Sequence, residues 1–155
     1  MMKQYASSPI YVIYASTSGN VEIVCERIAD LFNKEGFNAI LLRSEKTSIE
    51  IIADNERFVF GTSTWEHGVL NPFFDKLYEE MKTRKFTNKQ AAFVGLGDKR
   101  YEPVMFCAGI EQLGRLWVLN GGKKVGKTLL IAGEPYAQLD TTVESWAESI
   151  AGSWI

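Results

Sequence analysis

The feature that most constrains the fold is an alternation of short apolar runs with segments of helical periodicity. The first run, Ile10–Tyr14, is continuously apolar and β-rich, which is typical of a strand buried on both faces of a parallel sheet. After a polar turn, apolar residues recur at helical spacing from Val21 to Phe32, and Gly36 ends the segment. Strand, turn and helix then repeat in that order. The pattern predicts a doubly wound α/β fold, with a five-stranded parallel sheet covered by helices on both faces.

The remaining elements follow the same alternation along the chain. Further strands are expected at Phe37–Leu42, Arg57–Gly61, Ala91–Leu96 and Lys127–Ala132, and further helices at Phe73–Met81, Met105–Leu119 and Asp140–Ala151. The last helix has Asp140 or Thr141 in the position of an N-cap. The 155 residues contain no internal repeat or interdomain linker, so we expect a single domain over residues 1–155, with residues 1–8 as a loose tail.

Composition and charge narrow the class of protein. Hydrophobic residues make up 46% and charged residues 23%, which is ordinary for a globular protein. A formal net charge of −2 gives no electrostatic reason to expect nucleic acid as a partner, and no apolar run reaches the roughly 18–20 residues of a membrane span. The start MMKQYASSP lacks the apolar region of a secretory signal, and Cys25 and Cys107 fit neither a metal motif nor a disulfide framework. We therefore expect a cytoplasmic protein.

The loop after the first strand has the composition of an anion site. Ser16-Thr17-Ser18-Gly19-Asn20 supplies three hydroxyls, a glycine and an amide at the start of a helix, where the helix dipole favours negative charge. The loop has no lysine, so a phosphate bound there would be held by neutral donors. Simple N-capping explains the same residues equally well, because Ser, Thr and Asn are favoured caps.

Two further strand-end loops each carry an aromatic residue. Thr62–Gly68 contains Trp65, and Gly95–Glu102 contains Tyr101. An aromatic ring in a polar strand-end loop is poorly placed for the core and well placed to stack on a flat ligand. Ligands of doubly wound folds bind beyond the carboxyl ends of the strands, so the three loops together predict a site for a flat heteroaromatic ring with a phosphate tail. His67, the only histidine, lacks the neighbours of a catalytic base and is expected to be a solvated loop residue.

On these residues the chain resembles the short-chain flavodoxins nearly end to end. In that family a Ser/Thr-x-Ser/Thr-Gly-x-Ser/Thr loop binds the phosphate of FMN, and Ser16–Val21 matches it. A Ser-Thr-Trp loop places its Trp on the inner face of the flavin, and Ser63-Thr64-Trp65 matches it. A Gly-Asp-x-x-Tyr-Glu loop places its Tyr on the outer face, and Gly97–Glu102 matches it. Phe106-Cys107-Ala108-Gly109 resembles the Phe-Cys-Gly stretch that follows.

The resemblance implies the strand order 2-1-3-4-5 and an FMN cofactor. The implied function is single-electron transfer between a reductase and acceptor enzymes, by a monomer that contacts its redox partners transiently and has no catalytic acid, base or nucleophile. The alternative is a regulator or interaction protein of the same fold that binds FMN weakly or not at all. The implied FMN-binding residues are Ser16, Thr17, Ser18, Gly19, Asn20, Val21, Ser63, Thr64, Trp65, Gly68, Gly97, Asp98, Tyr101, Phe106 and Cys107.

Departures from the family pattern keep the alternative open. Val21 stands where the phosphate loop ends in a hydroxyl residue, and one lost hydrogen bond to an anion costs about 1.5–3 kcal/mol, so weaker FMN binding is expected. Lys99 and Arg100 stand where small or acidic residues are common in the family. Beside the ring, their charges would stabilise the anionic reduced flavin, which predicts a less negative potential for the second reduction step.

A second segment, near the end of the chain, matches a phosphate-binding motif. Gly121–Thr128, GGKKVGKT, matches the G-x-x-x-x-G-K-S/T loop of nucleotide hydrolases. That loop leads from a strand into a helix, whereas here helical residues precede the string and an apolar β-rich run follows it. We therefore expect Gly121-Gly122 to end a helix, and the segment to form a turn at the edge of the sheet opposite the cofactor.

Overall fold

A parallel sheet forms the centre of the fold. The computed structural model describes residues 8–65, 69–97 and 108–154. Its strands are β1 (Ile10–Ala15), β2 (Ala39–Arg43), β3 (Arg57–Trp65), β4 (Val69–Leu70), β5 (Gln90–Gly97), β6 (Lys123–Lys124) and β7 (Leu129–Ala132). The order is β2-β1-β3-β5, with β6 and β7 both parallel to β5, and β4 turns back antiparallel on β3. Because β6 and β7 together take the place of the predicted fifth strand, the predicted order 2-1-3-4-5 is confirmed.

Helices cover both faces of this sheet. They are α1 (Asn20–Lys34), α2 (Ile49–Ala53), α3 (Asp75–Met81), α4 (Ala108–Leu119) and α5 (Glu144–Ser153). One cluster of buried side chains lies under α1 and α5 and includes Val24 and Ile150, and a second lies under α3 and α4 and includes Leu77 and Trp117. The predicted doubly wound arrangement is therefore confirmed. None of the helices formed by the described residues has the length and apolar character of a membrane-spanning segment.

The register of the parallel strands brings their carboxyl ends to one edge of the sheet. Ala15, the last residue of β1, lies opposite Thr62 of β3. The next residue of β3, Ser63, lies opposite Leu96 of β5, and β5 stays paired with β7 to the end of both strands. The ends of these strands therefore lie side by side, at the edge where doubly wound folds bind ligands.

Several elements differ from the sequence prediction. The predicted N-cap at Asp140 or Thr141 is wrong, because both residues lie in a π-helical turn (Leu139–Val143) that precedes α5. Asp140 forms an ion pair with Arg27 of α1 instead. Neither α2 nor β4 was predicted, because five and two residues are too few to display a periodicity. Of the expected N-terminal tail, Ser8 lies within the described residues, and its carbonyl oxygen accepts a hydrogen bond from the guanidinium of β3's first residue at 2.7 Å.

The segment Gly121–Thr128 begins as a helix stop. Gly121 follows α4 in the left-handed conformation, with φ of 97°. Its N–H donates to the Val118 carbonyl at 3.0 Å, and the Gly122 N–H donates to the Trp117 carbonyl at 2.9 Å. These two bonds are the pair that defines a Schellman motif. The helix stop and the position at the amino edge of the sheet are therefore confirmed. The prediction of a turn over the whole segment is wrong, because Lys123 and Lys124 form β6 and pair with the first residues of β5.

Candidate functional site

The loop between β1 and α1 leaves the start of the helix open toward the carboxyl edge. Gly19, the N-cap of α1, takes the left-handed conformation with φ of 92°, which only glycine adopts readily. Its N–H donates to the Ser16 hydroxyl oxygen at 3.0 Å. Among the described side-chain contacts, none reaches the first-turn amides of α1, where the helix dipole is positive. Side-chain N-capping of this turn is therefore not seen here, which favours the anion-site interpretation.

A cavity of about 270 Å³ lies at this edge of the sheet. The carboxyl-terminal ends of β3 and β5 and the segments that follow β1 and β7 contribute its lining residues, which are Ser18, Asn20, Val21, Ser63, Thr64, Leu96, Gly97, Gly133 and Glu134. Six residues of the sequence-predicted site are thereby brought together, from three separate segments of the chain. Gly133 and Glu134 were not among the predicted cofactor-binding residues, although the segment Gly133–Leu139, directly after a parallel strand, is one of the strand-end positions where such a fold binds ligands.

Val21 differs from the other lining residues because its side chain is part of the core. It is 2% exposed and belongs to the buried cluster under α1. What Val21 can offer an anion is its backbone N–H, at the start of α1, which agrees with the expected loss of one side-chain donor. Ser16 is also buried, whereas Thr17 and Ser18 are exposed at the tip of the loop.

The second loop of the site is fixed by a buried asparagine. Asn71 is fully buried, donates from Nδ2 to the Ser63 Oγ at 2.9 Å and accepts at Oδ1 from the Phe73 N–H at 2.9 Å. Thr64 accepts at Oγ1 from the N–H of Gly109 in the first turn of α4, at 2.9 Å. Both hydroxyl oxygens therefore act as acceptors toward the protein, which leaves each hydroxyl proton available for another acceptor. Sequence reasoning missed Asn71, although its position before Pro72 is a common turn signal.

A tyrosine and a charged pair lie behind the first loop. The Tyr14 hydroxyl donates to Glu22 Oε2 at 2.8 Å, and Arg43 Nη1 donates to the same oxygen at 2.8 Å. Burial, followed by the Glu22 carboxylate, raises the pKa of Tyr14 to about 12, so the hydroxyl stays protonated and donates. Glu22 stands in the first turn of α1, so this carboxylate is held within one turn of the candidate anion site.

Most of the aromatic part of the predicted site lies outside the residues that the structure describes. Trp65 is the last residue of β3, where it pairs with Val69 of β4. The other predicted site residues, Gly68, Asp98, Tyr101, Phe106 and Cys107, lie outside the described residues, as do His67, Lys99 and Arg100. Of the described residues that line the cavity, Glu134 is the one with an ionisable side chain. The described lining therefore offers hydrogen-bond donors and backbone groups to a ligand, without a paired acid and base.

The fold and this edge define a class of protein, namely doubly wound α/β proteins with a candidate ligand site at the carboxyl ends of their strands. The sequence profile of the flavodoxin family matches residues 12–146, so the chain belongs to the flavodoxin family. The chain is 29% identical over 143 residues to a flavodoxin of Maridesulfovibrio salexigens, which covers 90% of this chain and 94% of that protein.

Solved structures agree with this assignment of the fold. The crystal structure of oxidised flavodoxin 2 from Bacillus cereus has a TM-score of 0.88 at 23% identity, and it covers 94% of this chain and 99% of that one. The flavodoxin of Fusobacterium nucleatum bound to flavin mononucleotide has a TM-score of 0.78 at 20% identity, with 94% and 98% of the two chains covered. Both likenesses extend over nearly the whole of each chain.

Proposed function

We propose that the chain is an FMN-dependent single-electron carrier that shuttles electrons between a reductase and acceptor enzymes. One observation carries the proposal: described residues from three segments with the flavodoxin sequence pattern line one cavity at the open start of α1. Membership of the flavodoxin family supports the same cofactor and the same function. The Fusobacterium nucleatum flavodoxin, a relative in fold, is itself bound to flavin mononucleotide.

The chain's residues have separate parts in this proposal. Ser16–Val21 hold the phosphate with neutral donors and first-turn amides, since an anion is favoured at a helix start. The hydroxyls of Ser63 and Thr64, fixed by Asn71 and Gly109, face the cavity with protons to donate. By the family pattern, Trp65 and Tyr101 flank the flavin, with Gly68, Gly97, Asp98, Phe106 and Cys107 close to it. FMN, when bound, supplies the redox chemistry by gaining and losing electrons one at a time.

The remaining features of the proposal concern partners and location. A carrier of this kind contacts redox partner proteins briefly, which suits a monomeric single domain over residues 1–155. The mild net charge of −2 supports protein partners over nucleic acid. We place the protein in the cytoplasm and outside the membrane. The described lining, with one ionisable side chain, supports an electron carrier over a catalytic enzyme.

Titration of FMN against the purified apoprotein, followed by quenching of flavin fluorescence, tests the proposal. The wild type is expected to quench FMN with one site per chain. Ser18→Ala, in the loop, is expected to weaken FMN binding about 10-fold, because a hydrogen bond to an anion is lost. Ser153→Ala at the end of α5 is the matched control and should leave the affinity unchanged. Wild-type protein that fails to quench FMN would contradict the proposal and support the regulator alternative.

A second measurement tests electron transfer itself. The FMN-loaded protein, reduced chemically, is expected to pass single electrons to a one-electron acceptor such as ferricyanide, with recovery of the oxidised flavin spectrum. FMN-loaded protein that stays reduced in the presence of the acceptor would contradict the carrier function, even with tight FMN binding.

A further inference from the structure

Arg43, the last residue of β2, connects three segments behind the phosphate loop. Its Nη2 donates to the Ser16 carbonyl oxygen at 2.7 Å, Nη1 donates to Glu22 Oε2 at 2.8 Å, and Nε donates to Glu45 Oε2 at 2.8 Å. The guanidinium also lies over the Tyr14 ring, 5.4 Å from its centroid. Arg43 does not line the cavity, so any effect on a ligand passes through the residues that it holds.

The contact with Ser16 fixes the peptide that leads into the loop. Ser16 is 4% exposed, and two of its groups are engaged: the carbonyl accepts from Arg43, and the hydroxyl accepts from the Gly19 N–H. A hydrogen bond from a charged donor is stronger than one between neutral groups. Arg43 therefore constrains the backbone of a loop that has no cation of its own.

The contact between Arg43 and Glu22 reduces the negative charge near the candidate phosphate site. Glu22 is an acidic residue in the first turn of α1, where a bound phosphate would meet its negative field. Its Oε2 accepts from both Arg43 and Tyr14, which hold the carboxylate behind the loop. The side chain of Arg43 is 30% exposed and that of Glu22 is 34% exposed, so water weakens this pairing without removing it. Without Arg43, Glu22 and Glu45 would lose the cation that they share.

We propose that Arg43 is a positioning residue that makes the site selective for a phosphorylated flavin over the same flavin without phosphate. The inference depends on the proposed FMN function. Arg43 acts on the phosphate end of the site, through the Ser16 carbonyl and through neutralisation of Glu22. None of these hydrogen bonds of Arg43 involves Ser63, Thr64 or Gly97, the cavity-lining residues of the other two motifs. A loss of Arg43 therefore changes the affinity for FMN and leaves the affinity for riboflavin nearly unchanged.

Fluorescence titrations of FMN and riboflavin against the same apoproteins test this selectivity. Arg43→Met keeps an unbranched apolar side chain and removes the guanidinium, and it is expected to weaken FMN binding about 10- to 30-fold and riboflavin binding less than about 3-fold. The control is Arg84→Met, which removes another arginine–glutamate ion pair. Arg84 Nη2 lies 2.8 Å from Glu50 Oε1, and neither residue lines the cavity. The control variant should change neither affinity. Far-UV circular dichroism checks that each apoprotein is folded.

A second variant guards against a general loss of folding. Glu22→Gln removes the repelling carboxylate and keeps the side-chain volume, so it is expected to tighten FMN binding about 3-fold with riboflavin unchanged. Opposite effects of Arg43→Met and Glu22→Gln on FMN support the proposal, because a purely structural role would weaken both. Equal losses for FMN and riboflavin, no loss in Arg43→Met, or weaker FMN binding in Glu22→Gln would each overturn it. Wild-type protein without FMN binding would overturn the proposed function first, and this inference with it.

Discussion

Gly61 lies where the first helix of the site packs closely against the sheet. It belongs to β3, between Tyr14 of β1 and Val94 of β5. A Cβ atom at this position would lie 2.6 Å from the Sγ of Cys25 and 3.5 Å from a γ carbon of Val21. Both neighbours are on α1, so Gly61→Ala pushes directly against the helix whose start is the candidate anion site.

The size of this effect follows from the geometry. Ordinary van der Waals contact begins near 3.4 Å, so Cys25 must move away by about 0.8 Å in Gly61→Ala. Overpacking of this kind costs about 1–3 kcal/mol of the free energy of unfolding. Cys25 is fully buried, and burial raises the pKa of its thiol, so it is neutral at pH 7 and Cys25→Ala removes volume without removing charge. That truncation alone costs about 1 kcal/mol.

A double-mutant cycle on the two residues measures the clash. In Gly61→Ala with Cys25→Ala, the new methyl group occupies the space of the missing sulfur, so the double variant should be more stable than the sum of the single effects by about 1–2 kcal/mol. Urea unfolding of the apoproteins gives the four free energies of unfolding. FMN titration adds a functional measurement, because the displaced helix start should weaken binding in Gly61→Ala and regain it in the double variant.

Additivity would refute this reasoning. If the loss of stability in the double variant equals the sum of the losses in the two single variants to within about 0.5 kcal/mol, Cys25 and the new side chain at position 61 do not clash. A Gly61→Ala variant as stable as the wild type would contradict the geometry even more directly. Unchanged FMN affinity in an unstable Gly61→Ala variant would separate the packing of α1 from its role at the site.

Two further predictions concern a glycine and a tyrosine. Gly122→Ala is expected to destabilise the protein by about 2–3 kcal/mol in urea unfolding, because the new Cβ would lie 2.4 Å from the Trp117 Nε1. The control is Gly114→Ala in α4, where the new Cβ meets nothing within 4 Å, and it should stabilise the protein by about 0.5–1 kcal/mol. Equal effects of the two substitutions would contradict the close approach of Gly122 to the Trp117 ring. Tyr14 has its pKa raised from 10.0 to about 12, so its contribution to the free energy of unfolding is complete below pH 10 and is lost as the pH rises through about 12. The stability of the wild type relative to Tyr14→Phe should therefore fall by about 2 kcal/mol between pH 9 and pH 12, and a difference that does not change with pH would contradict the burial of the Tyr14 hydroxyl together with its contact with Glu22.

The parts of the fold that the sequence predicted correctly depend on patterns within a few residues. Ile10–Tyr14 is apolar at every position because both faces of β1 are covered, and no partner has to be known to see this. The helix stop at Gly121 is equally local, since a left-handed residue after a helix favours glycine wherever it occurs. The position of the ligand edge then follows from the parallel order of the strands.

The parts that were missed depend on contacts between distant segments. Asp140 is of a residue type that favours the N-cap position. Its carboxylate instead accepts a hydrogen bond from Arg27, which is 113 positions away in the sequence. Asn71, which follows β4, fixes Ser63 of β3, eight positions earlier in the sequence. Such side chains carry no periodicity and no motif, so their roles appear only when the fold has brought their partners together.

Two segments of this chain match phosphate-binding motifs, and they show why a sequence match alone does not determine a site. GGKKVGKT has the better match and two lysines at its centre, yet it leads from a helix into a strand, and the Lys127 carbonyl accepts from the Trp146 indole at the amino edge of the sheet. Ser16–Asn20 has no cation, yet it leads from a strand into the open start of a helix. A loop without a cation depends on the charges behind it for its preference for an anion. Arg43 and Glu22, which no phosphate motif includes, are therefore the residues on which the choice between ligands with and without phosphate should depend.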